Sequence, residues 1–282
     1  MIDLAYFTPP TQGELGLKAF DPGYTFNADR TIAIGETAVY NQELIHWQEN
    51  LHAEGRQGLL LIYQAMDTAG KDSNIRTLFA GVNPQGLEIH NFNTAGKKER
   101  QFDVLHRYHA AVPAKGMIGV FNRSYYEPLI NSYASGHDEV LSLKNSAQHI
   151  NNFESLLQYS NIRVLKFYLH ISRTEYRRRL AKRLNTPQDH WKLHESDLAT
   201  HENWHTTIAA YQKVISLTHT SKSPWYIIPS NKRWFRDWLI GHIICKTLQQ
   251  MQPRRPRVTP PYTLEDLDAL SQALENQNTA AR

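Results

Sequence analysis

What this 282-residue chain lacks narrows it quickly. It has one cysteine, Cys245, which excludes a disulfide scaffold and any cysteine-based zinc site. Cys245 lies in an apolar helical run with Trp238, Leu239, Ile240, Ile243 and Ile244, so it reads as packing rather than as a nucleophile. No apolar stretch approaches the roughly 18 residues of a membrane span. The start, M-I-D-L-A-Y-F-T-P-P, has no basic segment followed by an apolar core. Neither a membrane span nor a secretory signal is expected, and the cytoplasm follows by default. Metal-ligand spacing is missing too: no H-E-x-x-H occurs, and nothing near His106 and His109 completes a set. No internal repeat is found. Excess charge is modest, at +4 with a pI near 9.0, which suits an anionic substrate without indicating nucleic acid.

What is present is enough hydrophobic content, 41%, for one sizeable core. The most informative segment runs from Leu59 to Asn83. Leu59, Leu60, Leu61, Ile62 and Tyr63 read as a buried parallel strand. A small-residue turn follows, and Gly70-Lys71 opens a helix with Ile75, Leu78 and Phe79 on its apolar face. This is the frame of a phosphate-binding loop, in which backbone N–H groups and the positive helix end face the anion and the lysine reaches its outer oxygens. The usual pattern G-x-x-x-x-G-K-[ST] is met only in part. Ala65 stands for the first glycine and Asp72 for the metal-binding Ser/Thr. An ordinary strand-to-helix turn capped by Asp67 or Thr68 is the alternative.

Asp67 inside such a loop needs a reason. A carboxylate about 4 Å from a phosphate oxygen repels it by roughly 4 kcal/mol at an effective dielectric of 20. A divalent cation between the two removes that clash, and Mg²⁺ is commonly held by one or two carboxylates together with phosphate oxygens. Asp67 is therefore the candidate metal ligand, with Lys71 beside it.

Strands are also predicted at Leu87–Phe92, Met117–Phe121, Val164–Ile171 and Trp225–Ile228. Helices are predicted at Asn41–Ala53, Asn74–Ala80, Lys97–Ala111, Glu139–Leu157, Thr174–Leu184, Asp197–Thr218 and Lys232–Gln250. Their alternation implies a three-layer α/β/α fold with a five-stranded parallel sheet. The expected organisation is an extended lead-in over 1–40 and a P-loop kinase-like domain over 41–251, with a lid at about 174–200. A Pro-rich linker and a short helix then occupy 252–282. Leu264, Leu267, Leu270 and Leu274 make that helix amphipathic, for docking on this subunit or a neighbour.

Ligands of such sheets bind beyond the carboxyl ends of the strands. Three predicted strand ends carry suitable residues: Asp67 to Asp72, then Asn122-Arg123-Ser124, then Arg179 and Arg183. Ala69, Gly70 and Asp72 with Asn122, Ser124 and Glu127 are the candidates for holding phosphate and cofactor. Asn122 stands where an acidic residue near the metal is usual, and a metal-bound water would suit it. The planar fork of Arg123 matches phosphate oxygens, the alternative being a structural ion pair. For Glu127 both a structural and a functional role stay open. Arg179 and Arg183, four apart in E-Y-R-R-R-L-A-K-R, share a helix face and would close over a transferring phosphoryl group. A solvated basic helix is the plainer alternative.

From about Asp21 to about Asp237 the chain resembles the polyphosphate kinase 2 family. The matching blocks include F-D-P, M-D-T-A-G-K-D, G-V-N-P-Q-G, P-A-K-G-M-I-G-V-F-N-R-S-Y-Y-E, L-K-F-Y-L-H-I-S, Trp191-Lys192, Asp197 and P-W-Y-I-I-P. The resemblance implies a helical lid and Mg²⁺-dependent phosphoryl transfer between inorganic polyphosphate and a nucleoside mono- or diphosphate, AMP or ADP above all, by a homo-oligomer. It would place Asp67, Lys71, Asn122, Arg123 and Glu127 at the site and Arg179 and Arg183 on the lid. An ATP-dependent kinase of a small acceptor and a weakly active binding protein are the rival readings. Departures from the family are Ala65 for a glycine, Ser73-Asn74 for Gly-Thr, His106 for a tryptophan and P-L-I-N-S-Y-A-S-G after Glu127. Others are His205, Thr206 and Thr207 near Trp204, and Arg233 for a lysine. The metal and phosphate core is kept, while the surroundings that would hold nucleotide or polyphosphate differ.

Overall fold

The computed structural model describes residues 2–10, 15–93, 96, 99–136 and 140–280. Five parallel strands form one sheet in the order β2-β3-β1-β4-β5. They are β1 (Gly58–Gln64), β2 (Leu87–Asn91), β3 (Ile118–Asn122), β4 (Ile162–His170) and β5 (Trp225–Pro229). β1 is central and buried along its whole length, whereas β2 at the edge is half exposed. This is why β1 reads as an unbroken apolar run: helices cover both of its faces. Helices α1 (Arg30–Glu54), α2 (Lys71–Leu78) and α9 (Arg233–Met251) pack together, as do α4 (Glu127–Ala134), α5 (Val140–Tyr159) and α8 (Trp204–Thr218). Between β4 and α8 lie α6 (Arg173–Leu184), a 3-10 turn at Pro187–Lys192, and α7 (Glu195–Glu202). No helix among the described residues is long and apolar enough to cross a membrane.

Several element boundaries need correction. The first long helix starts at Arg30, so residues 30–40 are helical rather than extended. Asp29 caps it by accepting from the N–H groups of Thr31 and Ile32, and Gly55, at φ 63°, ends it. Its extra turns are fastened by α9, where Trp238 Nε1 donates to Glu36 at 2.6 Å and Tyr40 Oη meets His242 Nδ1 at 3.0 Å. Those partners are some 200 residues away, so the local pattern misses them. The long helix expected over Lys97–Ala111 is only a 3-10 turn, Glu99–Gln101, and the single turn α3 (His106–His109); Lys97 and Lys98 lie outside the described residues. The helix predicted from Asp197 breaks at Asn203 into α7 and α8. α4 was not anticipated, and Glu139 lies outside the described residues. Cys245 is buried in α9, as its apolar surroundings imply. The leucines of the last helix, α10 (Leu264–Ala280), stay exposed on this chain.

Candidate active site

The loop between β1 and α2 is built on two left-handed backbone positions. Gly70, at φ +105°, precedes the helix, and a Cβ there would meet Arg236 Nη1 at 1.8 Å. Thr68 takes φ 63° despite its side chain. Ala65, by contrast, is not among the positive-φ positions, so no glycine is required where the usual loop begins. Arg123, just past β3, is a second strained residue, at φ 64°. Such positions cost about 1–3 kcal/mol each and cluster where the surrounding structure over-determines them.

Inside the loop, Lys71 is buried and its Nζ donates to the Ala65 carbonyl at 2.9 Å. Burial pushes its ammonium below the ordinary lysine value, against the pull of Asp67. Asp67 faces the cleft and accepts from Arg123 Nη2 at 2.6 Å. Burial raises its carboxyl, but Lys71 and Arg123 together hold it below the usual carboxylate range. Part of the charge that called for a cation is thus met by Arg123. Asp72 accepts from Asn122 Nδ2 at 2.6 Å, while the buried Asn122 Oδ1 has no partner among the described residues. With Gly70, Arg183, Trp191 and Lys192, these groups line a cleft of about 320 Å³ beyond the carboxyl ends of β1 and β3. Asn91 and Asn93 join it from the end of β2. The cleft-lining residues bring hard oxygens: the Asp67 and Asp72 carboxylates and the buried, unpartnered amide oxygen of Asn122. Hard oxygens of this kind fit Mg²⁺ held by one or two carboxylates together with phosphate oxygens. Among the described residues no three His, Cys, Asp or Glu side chains form a metal cage.

Three sequence-predicted residues take other places. Ser124 is fully buried, and its N–H and hydroxyl bond the Gln64 amide oxygen at 3.1 and 2.9 Å, so it braces the strand ends rather than facing phosphate. The same amide donates to Glu127 Oε1 at 2.8 Å, and burial raises the Glu127 carboxyl against the pull of Arg123 and Lys71. Glu127 thus stands behind the cleft. Behind it, Tyr125 and Tyr126 donate to Glu154 at 2.9 and 2.5 Å, with Lys166 neutralising that carboxylate at 2.7 Å. Arg179 is the clearest correction. Its side chain is buried, and it donates to the carbonyls of Thr68, Ala69, Ser230 and Asn231 instead of reaching over the cleft. Charged hydrogen bonds of this kind contribute about 1.5–3 kcal/mol each, enough to offset the strain at Thr68. Ala69 is buried and enters only through its backbone. Arg236, which shares the Ala69 carbonyl at 3.2 Å, escaped the sequence reading; a basic residue inside an apolar helix was the available signal.

A second groove, about 1080 Å³, lies between α1, α6 and α9, with Arg30, Arg178, Lys232 and Arg233 on its walls.

A phosphate loop at the end of a central parallel strand, faced by Arg123 from the end of β3 and by Arg183 from α6, defines a P-loop kinase-like phosphotransferase. Comparison narrows the class. The family model for polyphosphate kinase 2 matches residues 29–256. An AMP/ADP-polyphosphate phosphotransferase of Meiothermus ruber is 39% identical over 87% of this chain and 92% of its own. An ADP-polyphosphate phosphotransferase of Rhodopseudomonas palustris is 34% identical, over 83% and 85% respectively. The crystal structure of polyphosphate kinase 2 from Arthrobacter aurescens superposes with a TM-score of 0.87 at 30% identity, covering 94% of this chain and 98% of that one. The chain belongs to the polyphosphate kinase 2 family.

Proposed function

We propose that the protein transfers a phosphoryl group, reversibly and with Mg²⁺, between inorganic polyphosphate and a nucleoside mono- or diphosphate, AMP or ADP foremost. The observation that carries this reading is the convergence of Lys71, Asp67, Arg123 and Arg183 on one cleft at the head of α2, in a chain matched by the family model over 29–256. The names of the two relatives supply the substrate class.

In the forward direction an oxygen of the nucleotide's terminal phosphate forms a bond to the end phosphorus of polyphosphate. The phosphoanhydride bond behind that phosphorus breaks, and its electrons stay on the shortened chain. The attacking oxygen is already ionised, so no general base is needed, and catalysis rests on positioning and charge. N–H groups at the head of α2 and the Lys71 ammonium hold the phosphoryl oxygens. Arg123 exchanges part of its pairing with Asp67 for the anion, and Arg183 closes from the far wall. Mg²⁺, when bound through Asp67, Asp72 and Asn122, would neutralise the phosphate oxygens facing these groups. The lid lies C-terminal to Arg179, since that residue pins the middle of α6 to the loop. The basic groove between α1, α6 and α9 suits the remainder of a polyanion. The same reading has the chain working in the cytoplasm as a homo-oligomer, with the exposed α10 leucines offering an interface.

The test is to supply polyphosphate and Mg²⁺ with AMP, ADP, GMP or GDP and separate the nucleotides by chromatography. Conversion of AMP to ADP, or of ADP to ATP, is the expected result. Turnover only with ATP and a small acceptor, or binding without turnover of any nucleotide, would overturn it.

A further inference from the structure

Two buried guanidinium groups close on the outer side of the phosphate loop. From α6, Arg179 Nη1 donates to the Thr68 and Ala69 carbonyls, both at 2.9 Å. From α9, Arg236 Nη1 donates to the same Ala69 carbonyl at 3.2 Å and Nη2 to Ser73 Oγ at 3.0 Å. Each arginine is paired with a carboxylate: Glu175 accepts from Arg179 Nε at 2.7 Å, while also accepting from Arg178 Nε at 2.6 Å, and Asp237 accepts from Arg236 Nε at 2.9 Å. The pairing offsets part of their charge behind the loop. What they fix is direction.

We propose that Arg179 and Arg236 are positioning residues for phosphoryl transfer, gripping the loop's carbonyls from outside so that its N–H groups face the anion. The proposal rests on the phosphotransferase reading above. In a trans peptide the C=O and the next N–H point opposite ways. Drawing the Ala69 carbonyl outward turns the Gly70 N–H toward the cleft that Gly70 lines. The N–H of Ala69 is already given to Met66, at 3.3 Å, so Gly70 and the first turn of α2 supply the donors. That turn has no side-chain cap, which leaves it open to a ligand. Arg236 also explains Gly70: its guanidinium occupies the space a side chain would need. Ser73 Oγ completes the arrangement by donating to the Gly70 carbonyl at 3.0 Å, and Asn74 ties α2 to Asp237 at 2.6 Å.

The decisive variant is Arg236→Lys in the full chain. Lysine keeps the charge but lacks the fork that spans Ala69 and Ser73. Steady-state rates with polyphosphate, Mg²⁺ and nucleotide would be measured beside calorimetric binding of inorganic tripolyphosphate and a thermal melt. We expect kcat/KM to fall roughly tenfold or more and tripolyphosphate to bind about fivefold more weakly, at a temperature where circular dichroism shows the chain fully folded. Retention of both within about twofold, or losses accounted for by the unfolded fraction, would overturn the proposal. Should Arg236→Lys not fold, Ser73→Ala removes one acceptor without touching the charge. It should lower both quantities about two- to fivefold, and no change would be equally fatal. Tripolyphosphate binding needs no turnover, so an inactive parent chain would sink the proposed reaction while leaving the clamp tested.

Discussion

Arg179 and Arg183 stand one helical turn apart on α6, yet they have opposite surroundings. Arg179 is buried and spends its donors on backbone carbonyls and Glu175. Arg183 lines the cleft, and among the described residues its one hydrogen bond is to the Lys192 carbonyl at 3.3 Å. Helical spacing puts two residues on one face without saying how deep each will sit. Depth is set by what the face meets: the loop after β1 and the end of β5 close over Arg179, while the 3-10 turn at Pro187–Lys192 leaves Arg183 room. Burial also pushes the Arg179 guanidinium down, to about 10, still charged at neutral pH. The lesson is that a phosphate loop has two sides, and similar arginines serve each.

The inner side should give the largest kinetic effects. Lys71→Ala and Asp67→Ala are each expected to reduce the rate roughly 100-fold or more, the scale of losing an electrostatic transition-state stabiliser. Losses of about tenfold or less in both would show that the chemistry lies elsewhere. Next comes the contrast between the two arginines. Arg179→Ala removes the side-chain donor of the Thr68, Ser230 and Asn231 carbonyls, while Glu175 keeps Arg178 and the Ala69 carbonyl keeps Arg236. The loss should cost roughly 3 kcal/mol and lower the melting temperature by roughly 10 °C. Arg183→Ala should leave the melt unchanged and cut kcat roughly tenfold to hundredfold. Full stability in Arg179→Ala would break the comparison, since its bonds to the loop and to the end of β5 would then contribute nothing to holding the fold.

The sheet and the inner side of the loop were legible because both are written locally. β1 is a continuous apolar run, and Asp67, Gly70 and Lys71 fall within a few residues of its end. The outer side was not, because its partners come from β5's end and from α9, far along the chain. Arg236 looks like a stray charge in an apolar helix until the Ala69 carbonyl is seen beside it. Ser124 misled for a related reason: a hydroxyl after a strand suggests a ligand, but here it meets Gln64 at the end of the neighbouring strand. The first eleven residues of α1, 30–40, are not legible in the sequence because their support comes from Trp238 and His242 rather than from their own periodicity.

The smallest expected effect concerns the strand that delivers both arginines. His170 ends β4 two residues before the Ser172 cap of α6, and it is buried with Nδ1 lacking a partner among the described residues. Burial pushes its imidazole down to about 4 from an ordinary 6.5, with Asp21 and the Phe20 backbone opposing the shift. Between those two values the unfolded chain binds a proton that the folded chain does not, so stability must rise with pH across that window and fall as the solution is acidified. His219, also held near 4, adds to the same slope. Melts of the parent and of His170→Gln from pH 7 to pH 4.5 separate the contributions: the parent should lose a few degrees more than the variant over that range. Parallel profiles would mean that His170 takes up its proton within the fold, and that the base of α6 is less tightly sealed than the neighbouring Arg179 contacts imply.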